Sequence, residues 1–268
     1  MENQDLRFVA HIDILGMSAI VEKDADQAWS RLSALVAVRD KVGNYEIEFL
    51  QSNERVVVSD TIRAITVSDT IILFTQGASD TELRCMIIAV TEILHKAICR
   101  CVPIRAGLAF GRFFFNLDQS MYAGPALIEA YRVGESAKWL GITLAESVHE
   151  KAKGLGMKSG SSSVIVEWHV PVKTGTEKRF VVNWPAVVAH DLTINPPVTV
   201  PQFYQGFEST FGPFEQLAAE VQAKYENTVK FINEQLAAHA SSNQAINTDN
   251  KKHCSFVALL FAAGYGER

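Results

Sequence analysis

The sequence has only four cysteines, Cys85, Cys99, Cys101 and Cys254, and no two of them form a Cys-x-x-Cys pair. Cys99 and Cys101 flank one arginine, which fits no common zinc spacing. The pattern reads as reduced thiols of a cytosolic protein, mostly core filler, and excludes a disulfide framework. No apolar run is long enough to span a bilayer, and the first residues lack the basic flank and apolar segment of a secretory leader. The expected setting is therefore cytoplasmic. There is no excess of positive charge either: 25 Lys and Arg stand against 30 Asp and Glu, a net charge of −5. That excludes a general attraction to nucleic acid or to an anionic membrane. Any polyanionic ligand must be met by local basic groups or metal ions. What the chain has is apolar bulk. Of its 268 residues 48% are hydrophobic, enough for a substantial core in one large domain or two small ones.

The stretch Arg7-Phe-Val-Ala-His-Ile-Asp-Ile-Leu-Gly-Met17 organises the rest. Its nearly unbroken apolar run predicts a strand covered on both faces. Asp13 interrupts that run, and a carboxylate there is costly to desolvate unless a cation or donors satisfy it. Gly16 relaxes the backbone where the chain turns into a helix, whose first amides are free to hold an anion. Two readings stay open: a metal ligand with a phosphate cradle, or a strand end whose Asp caps the next helix.

Residues 55–76 hold the second pattern, RVVVSDTIRAITVSDTIILFTQ, in which Ser-Asp-Thr-Ile occurs at 59–62 and again at 68–71. A hairpin of 62–67 with 70–75 makes Ser68-Asp69 its tight turn. Asp69 then projects from a strand end beside Asp13. Two carboxylates converging this way suit hard divalent cations. Both Asp60 and Asp69 also read as ordinary turn formers, and for Asp60 that is the expectation.

The remaining elements are expected in this order. Residues 17–39 form one helix ended by Gly43 and Asn44. Tyr45 to Leu50 is a strand and 51–54 a turn. A helix capped by Asp80 covers 80–100, with His95 a surface or packing residue. A strand covers 102–110, on which Arg105 is a weak candidate for the site. An aromatic run, Phe113–Phe115, packs the hairpin or a dimer surface. Gly124 and Pro125 open a helix packed by residues through Leu140, carrying Arg132 and Lys138. Ile142–His149 is a short strand and turn. Strands at 164–172 and 180–182 are joined by a polar turn over 173–178 after a loop at 160–163. Residues 185–201 are irregular, a long helix covers 213–239, and 240–253 is polar and expected to be mobile.

Taken in order, the segments FVAHIDILGM, SDTIILF, IRAGLAFG and GPALIEAYR resemble the class III nucleotide cyclases over roughly residues 6–150. The compact form is closest to the pyrimidine cyclases of bacterial Pycsar antiphage defence. The resemblance implies an α+β, ferredoxin-like, palm-type fold. It divides the chain into a catalytic core at 6–150, strands and a long helix completing the domain at 151–240, and a polar linker with an apolar tail at 241–268. It implies that Asp13, Asp69 and the Ile14 carbonyl hold two divalent ions, Mn²⁺ or Mg²⁺. The backbone at Leu15, Gly16 and Met17 would cradle the triphosphate. Arg132, in Ala-Tyr-Arg, would stabilise the pentavalent phosphate from the partner of a head-to-tail homodimer with shared sites.

Departures from the family pattern bear on the substrate. Purine cyclases carry Asn where Ile128 stands, Lys where Ile65 stands, and an acidic or similar base-reading residue where Met121 stands. The purine-reading groups are missing while the Asp pair and Arg132 remain. The expectation is therefore UTP cyclised to cyclic UMP and pyrophosphate, as a signal for an indirect downstream effector in antiphage defence. Tyr45, Phe49 and Ile65 are candidates for the base pocket. CTP is the alternative, and a cyclase-like module that only binds nucleotide is the competing class. A diguanylate cyclase would need a Gly-Gly-Asp/Glu-Glu-Phe-like turn, where this chain has Val-Ser-Asp-Thr.

Overall fold

The computed structural model describes residues 5–43, 47–51, 54–58, 60–157, 163–188 and 197–246. Strand β1 (Leu6–Ile14) runs into helices α1 (Met17–Lys23) and α2 (Ala25–Gly43). A small hairpin, β2 (Ile47–Gln51) with β3 (Glu54–Val58), precedes the main hairpin of β4 (Ile62–Val67) and β5 (Thr70–Thr75). Helix α3 (Asp80–Cys99) returns the chain to β6 (Ile104–Arg112). A short hairpin, β7 (Phe114–Asn116) with β8 (Met121–Ala123), leads into α4 (Pro125–Ser136). Then come β9 (Ile142–Leu144), α5 (Glu146–Gly154), β10 (Ile165–Val172), β11 (Gly175–Val182), α6 (Trp184–Val188), α7 (Val200–Phe211) and α8 (Ala219–Ile246).

The main sheet has the order β10-β11-β9-β6-β1-β5-β4. Within it β6-β1-β5-β4 is antiparallel throughout. Helices α1 and α2 connect β1 to β4, and α3 connects β5 to β6. That is the βαββαβ, ferredoxin-like arrangement of a palm domain, so the α+β expectation holds. Strand β9 adds parallel to β6 and is extended by β11 and β10.

Strand alternation decides what each face of β1 meets. Phe8, Ala10, Ile12 and Ile14 point into the main core beside Leu35, Leu83, Val90 and Leu94 of α2 and α3. Val9 points the other way, into a smaller cluster with Ile72, Phe74, Phe113 and Ala126. His11 and Asp13 continue on that second face, which α4 only partly covers. Phe231, Ile232 and Leu236 of α8 join the same main core as β1.

Several expected boundaries are corrected. The helix at 17–39 is two helices, because Asp24 leaves the helical region and its Oδ1 accepts the Gln27 amide at 2.9 Å. Helix α3 is capped by Ser79 rather than Asp80, in a reciprocal box with Glu82. Asp80 instead pairs with Arg84 one turn on. The strand at 102–110 is shifted to 104–112. Helix α4 stops at Ser136, and Ala137 is extended. Residues 146–154 form α5 rather than a turn. The polar turn at 173–178 shrinks to two residues, because β11 begins at Gly175 and pairs with Val172. The segment at 185–201 contains most of α6 and the start of α7, the latter opened by a Thr199–Gln202 capping box. The long helix starts at Ala219, after a short 3-10 turn at Phe214–Gln216. His95 is buried. Cys85 is core filler, its thiol pushed up to about 11 by burial, but Cys99 is exposed. Residues 240–246, expected to be mobile, continue α8; residues from 247 on with the apolar tail, Tyr45 and residues 158–162 lie outside the described residues.

One close approach positions α4. A Cβ on Gly107 of β6 would stand 2.0 Å from the Ala130 carbonyl oxygen and 2.5 Å from the Gly134 amide. Gly107→Ala is expected to cost at least the ~1–3 kcal/mol of an overpacked core. Urea denaturation would measure it. Gly154→Ala, where the added methyl meets nothing within 4 Å, should be close to neutral in the same assay.

Candidate active site

The turn of the main hairpin brings the two candidate carboxylates to one edge. Ser68 adopts φ 55°, so the chain reverses within two residues. Asp13 stands opposite Thr70 on one side and Arg105 on the other. The Ile14 amide donates to the Asp69 carbonyl at 3.2 Å. In an antiparallel ladder a residue's N–H and C=O face the same neighbour, so the Ile14 carbonyl is also turned toward the hairpin tip. Asp13, Ile14 and Asp69 therefore share one locality. Asp60, the other half of the repeat, is 60% exposed at its side chain and pairs with Arg63. It is a turn former.

A cavity of about 270 Å³ opens at this edge, lined by His11, Asp13, Thr70, Arg105, Tyr131, Gly134 and Glu135. Arg105 dominates it. Its Nε donates to Asp13 Oδ2 at 3.0 Å, its Nη1 to the Glu135 carbonyl at 2.9 Å, and its Nη2 lies 3.4 Å from Glu135 Oε1. Lys173 completes the chain of charges, with Nζ 2.6 Å from Glu135 Oε1. Burial works to raise the Glu135 carboxyl, but Lys173 and Arg105 outweigh it and hold it below its ordinary value. Burial also holds the His11 imidazole below its ordinary value, against the pull of Asp13. The His11 ring stands edge-on to Tyr131, centroids 5.2 Å apart.

Arg105 was legible only as a lone arginine in a strand. The signal that singles it out is register: it sits directly across from Asp13, on the same face. The other candidates are distributed as follows. Gly16 takes φ 72° and opens α1. The Leu15 amide is already spent on the Pro103 carbonyl at 2.8 Å, which removes it from the expected phosphate cradle. Met17 is buried. Arg132 is exposed on α4 and does not line the cavity of its own chain. Ile65 packs with the Val9–Phe74 cluster, in line across the sheet with Ile72 and His11. Phe49 lies on β2, but its side chain, like all of Tyr45, is outside the described residues.

The donors at the edge suit a hard divalent cation: two carboxylates and a backbone carbonyl are all oxygen. Asp13 is held by a side-chain partner, the Arg105 guanidinium. A second group of candidate ligands, Glu146, His149 and Glu150, lies on one turn of α5 with ligand atoms within 4.8 Å of one another. Its members are already engaged: Glu150 with Lys153 at 2.7 Å and Glu146 with His149 at 3.3 Å. They read as helical neighbour pairs.

No family model and no curated protein matches the sequence. Solved structures of similar shape include a guanylyl cyclase domain of the RhoGC fusion protein from the aquatic fungus Blastocladiella emersonii. It is 16% identical over 68% of this chain and 96% of its own, with a TM-score of 0.47. An adenylate/guanylate cyclase/hydrolase from Silicibacter pomeroyi is 15% identical over 65% of this chain and 94% of its own, with a TM-score of 0.42. A class III adenylyl cyclase-like ATP-binding protein from Pseudomonas aeruginosa is 11% identical over 55% of this chain and 34% of its own, with a TM-score of 0.37. At these scores the likeness is descriptive, and the fold assignment rests on strand order.

Arg105 occupies the carboxylate that a cation would use. Arg105→Met, which keeps the length and removes the charge, is therefore expected to tighten Mn²⁺ binding. A partly exposed pair is worth about 1 kcal/mol, or roughly fivefold in Kd. Calorimetric titration with Mn²⁺ checks this, and a weaker Kd would show that Arg105 organises Asp13 rather than competing for it.

Proposed function

We propose that the protein is a nucleotide cyclase that converts a pyrimidine nucleoside triphosphate, UTP, into the cyclic monophosphate and pyrophosphate. The observation that carries this reading is the meeting of Asp13, Ile14 and Asp69 at one strand edge. The ribose 3′-oxygen bonds to the α-phosphorus while the bond from that phosphorus to the bridging oxygen breaks, and pyrophosphate leaves. Asp13, Asp69 and the Ile14 carbonyl would hold two divalent ions, Mn²⁺ or Mg²⁺. When bound, these ions supply activation of the 3′-hydroxyl and neutralisation of phosphate charge. Arg105 releases Asp13 and turns its fork to a phosphate, a geometry guanidinium suits.

The reading includes a homodimer with shared sites. The cavity of one chain is about 270 Å³, below the usual range of a small-molecule site, so the nucleotide extends beyond it. Exposed apolar side chains run from β7 and β8 onto α4: Phe114, Met121, Ile128 and Tyr131 are 41–61% exposed. Covering them with a second copy also brings a second Arg132 to the site, where it neutralises charge growing in the transition state. The pyrimidine preference is supported by what stands at the base-reading positions: Ile65 lies in an apolar cluster, and Ile128 and Met121 offer no hydrogen bond. CTP is the alternative substrate. The product would act as a signal in antiphage defence, read by a separate effector.

Turnover of UTP, CTP, ATP and GTP in separate Mn²⁺ reactions, with products resolved by chromatography, tests the reading. Cyclic UMP is the expected product, reduced on the order of 100-fold or more in Asp69→Ala. A purine product would overturn the base assignment. No product from any of the four would leave a nucleotide-binding module. Mixing an Asp13→Ala chain with an Arg132→Ala chain should restore part of the activity through one intact composite site. Failure of every mixture to exceed its parents would argue that Arg132 does not act across an interface.

A further inference from the structure

The C-terminal helices contact the same edge from the far side of β1. Leu15, which follows the candidate ligand Ile14, packs in a cluster with Leu140, Tyr204, Phe207, Val221 and Tyr225. The ring of Phe211 stands 3.2 Å from where a Cβ on Gly16 would be. Helix α8 is also fastened to the segment that leaves α4. Asn227 Nδ2 donates to the Lys138 carbonyl at 2.8 Å, and the Leu140 amide donates to Thr228 Oγ1 at 2.8 Å. One turn before those anchors, on the same face of α8 by i, i+3 and i, i+4 spacing, is Lys224.

Lys224 and Lys138 are both half-buried, and among the described residues neither stands in an ion pair. Burial and then the positive charge of Arg105 hold the Lys224 ammonium below its ordinary value, against Glu220 and Asp13. Lys138 adds to the same effect. Cations gathered on semi-buried ground without a carboxylate each are unfavourable until an anion arrives. Of the carboxylates that act on Lys224, Asp13 is committed to Arg105, and Glu220, one turn before it, is exposed and stands in no ion pair with it; Glu135 is committed to Lys173.

We infer that α8 delivers Lys224, beside Lys138, as an anion-holding bank for the polyphosphate of the substrate and for the pyrophosphate it releases. The inference rests on the cyclase reading for the identity of the substrate, but not for the class of ligand, a polyphosphate. It also gives residues 197–246 a role in the site, because the helix that fills the core at Phe231 and Ile232 carries the phosphate contact at its first turns. Lys224 is a binding residue here, and the ammonium is a point charge that rearranges easily around several phosphate oxygens.

The test uses the full chain with Lys224→Ala, Lys224→Met and Lys224→Arg. Inorganic tripolyphosphate with Mg²⁺ is titrated calorimetrically into each. The expected result is about tenfold weaker binding in the Ala and Met variants, near what one charge-assisted contact supplies, and recovery to within about threefold in Arg. Titration with Mn²⁺ alone should be unchanged, which a distorted fold would not permit. Where turnover is measurable, KM for the nucleotide rises about tenfold while kcat stays within about twofold. Wild-type binding in Lys224→Met, or no tripolyphosphate binding by the wild type, overturns the inference. A wild type that cyclises no nucleotide but binds tripolyphosphate in a Lys224-dependent way would sink the cyclase reading and leave the anion bank standing. An active enzyme indifferent to Lys224→Met would do the reverse.

Discussion

The backbone contact between Gly107 on β6 and Gly134 on α4 is the constraint on which the site depends. A Cβ on Gly134 would come within 2.7 Å of the Gly107 amide, so the helix lies directly on the strand only because both positions lack one. Glycine inside a strand or helix costs roughly 0.5–1 kcal/mol each relative to alanine, and here the cost is returned as position. With α4 pressed onto β6, its last turn ends over the Asp13 end of β1. That places the Glu135 carbonyl within reach of Arg105 and Tyr131 against His11. Were the helix lifted by a methyl group's width, the guanidinium would lose its second anchor.

Charge explains why this arrangement holds together. Asp13 breaks an apolar strand, and its carboxylate needs a partner. Arg105 supplies one from the neighbouring strand, and Glu135 with Lys173 balances Arg105 in turn. The Asp13 side chain is 27% exposed, so solvent screens the pair and its net worth is small, about 1 kcal/mol or less. A weak pair of this kind satisfies a carboxylate while costing little to break. The excess negative charge of the whole chain, −5, makes such local placement of cations the only route to holding a polyanion.

How far this was legible differs by element. The main hairpin was readable to the residue, 62–67 and 70–75, because period-two alternation flanks a polar dipeptide and leaves one register. The Ser-Asp-Thr-Ile repeat holds two aspartates of the same local pattern; Asp60 was expected to be the turn former, and the structure pairs it with Arg63 while the Asp69 hairpin tip meets β1. Helix α7 was hidden by composition, yet Thr199, Pro201 and Gln202 form a readable start signal for it. The break at Asp24 was missed because the apolar spacing continues almost unchanged across it. Arg105 and Lys224 share a different reason: what marks each is a neighbour about 90 residues away, Asp13 for the one and, through Asn227 and Thr228, Lys138 and Leu140 for the other. No local pattern encodes such a partner.

The same logic accounts for the extension beyond the palm sheet. Strands β6, β1, β5 and β4 alone leave Leu15 and the open side of β6 uncovered. Strand β9 pairs with β6 and brings β11 and β10 with it. Lys173, at the turn between β10 and β11, is thereby delivered to Glu135. Helices α7 and α8 pack against Leu15, and α8 fastens the Lys138 backbone. Two of the added elements carry lysines toward this region: Lys173, at the β10–β11 turn, pairs with Glu135, and Lys224 stands on α8 one turn before the Asn227 that fastens Lys138. On the proposed reading, cations at the carboxylate edge would not by themselves need these lysines, whereas a polyphosphate beside those cations would, and that proposed requirement would tie the C-terminal half of the chain to the first strand.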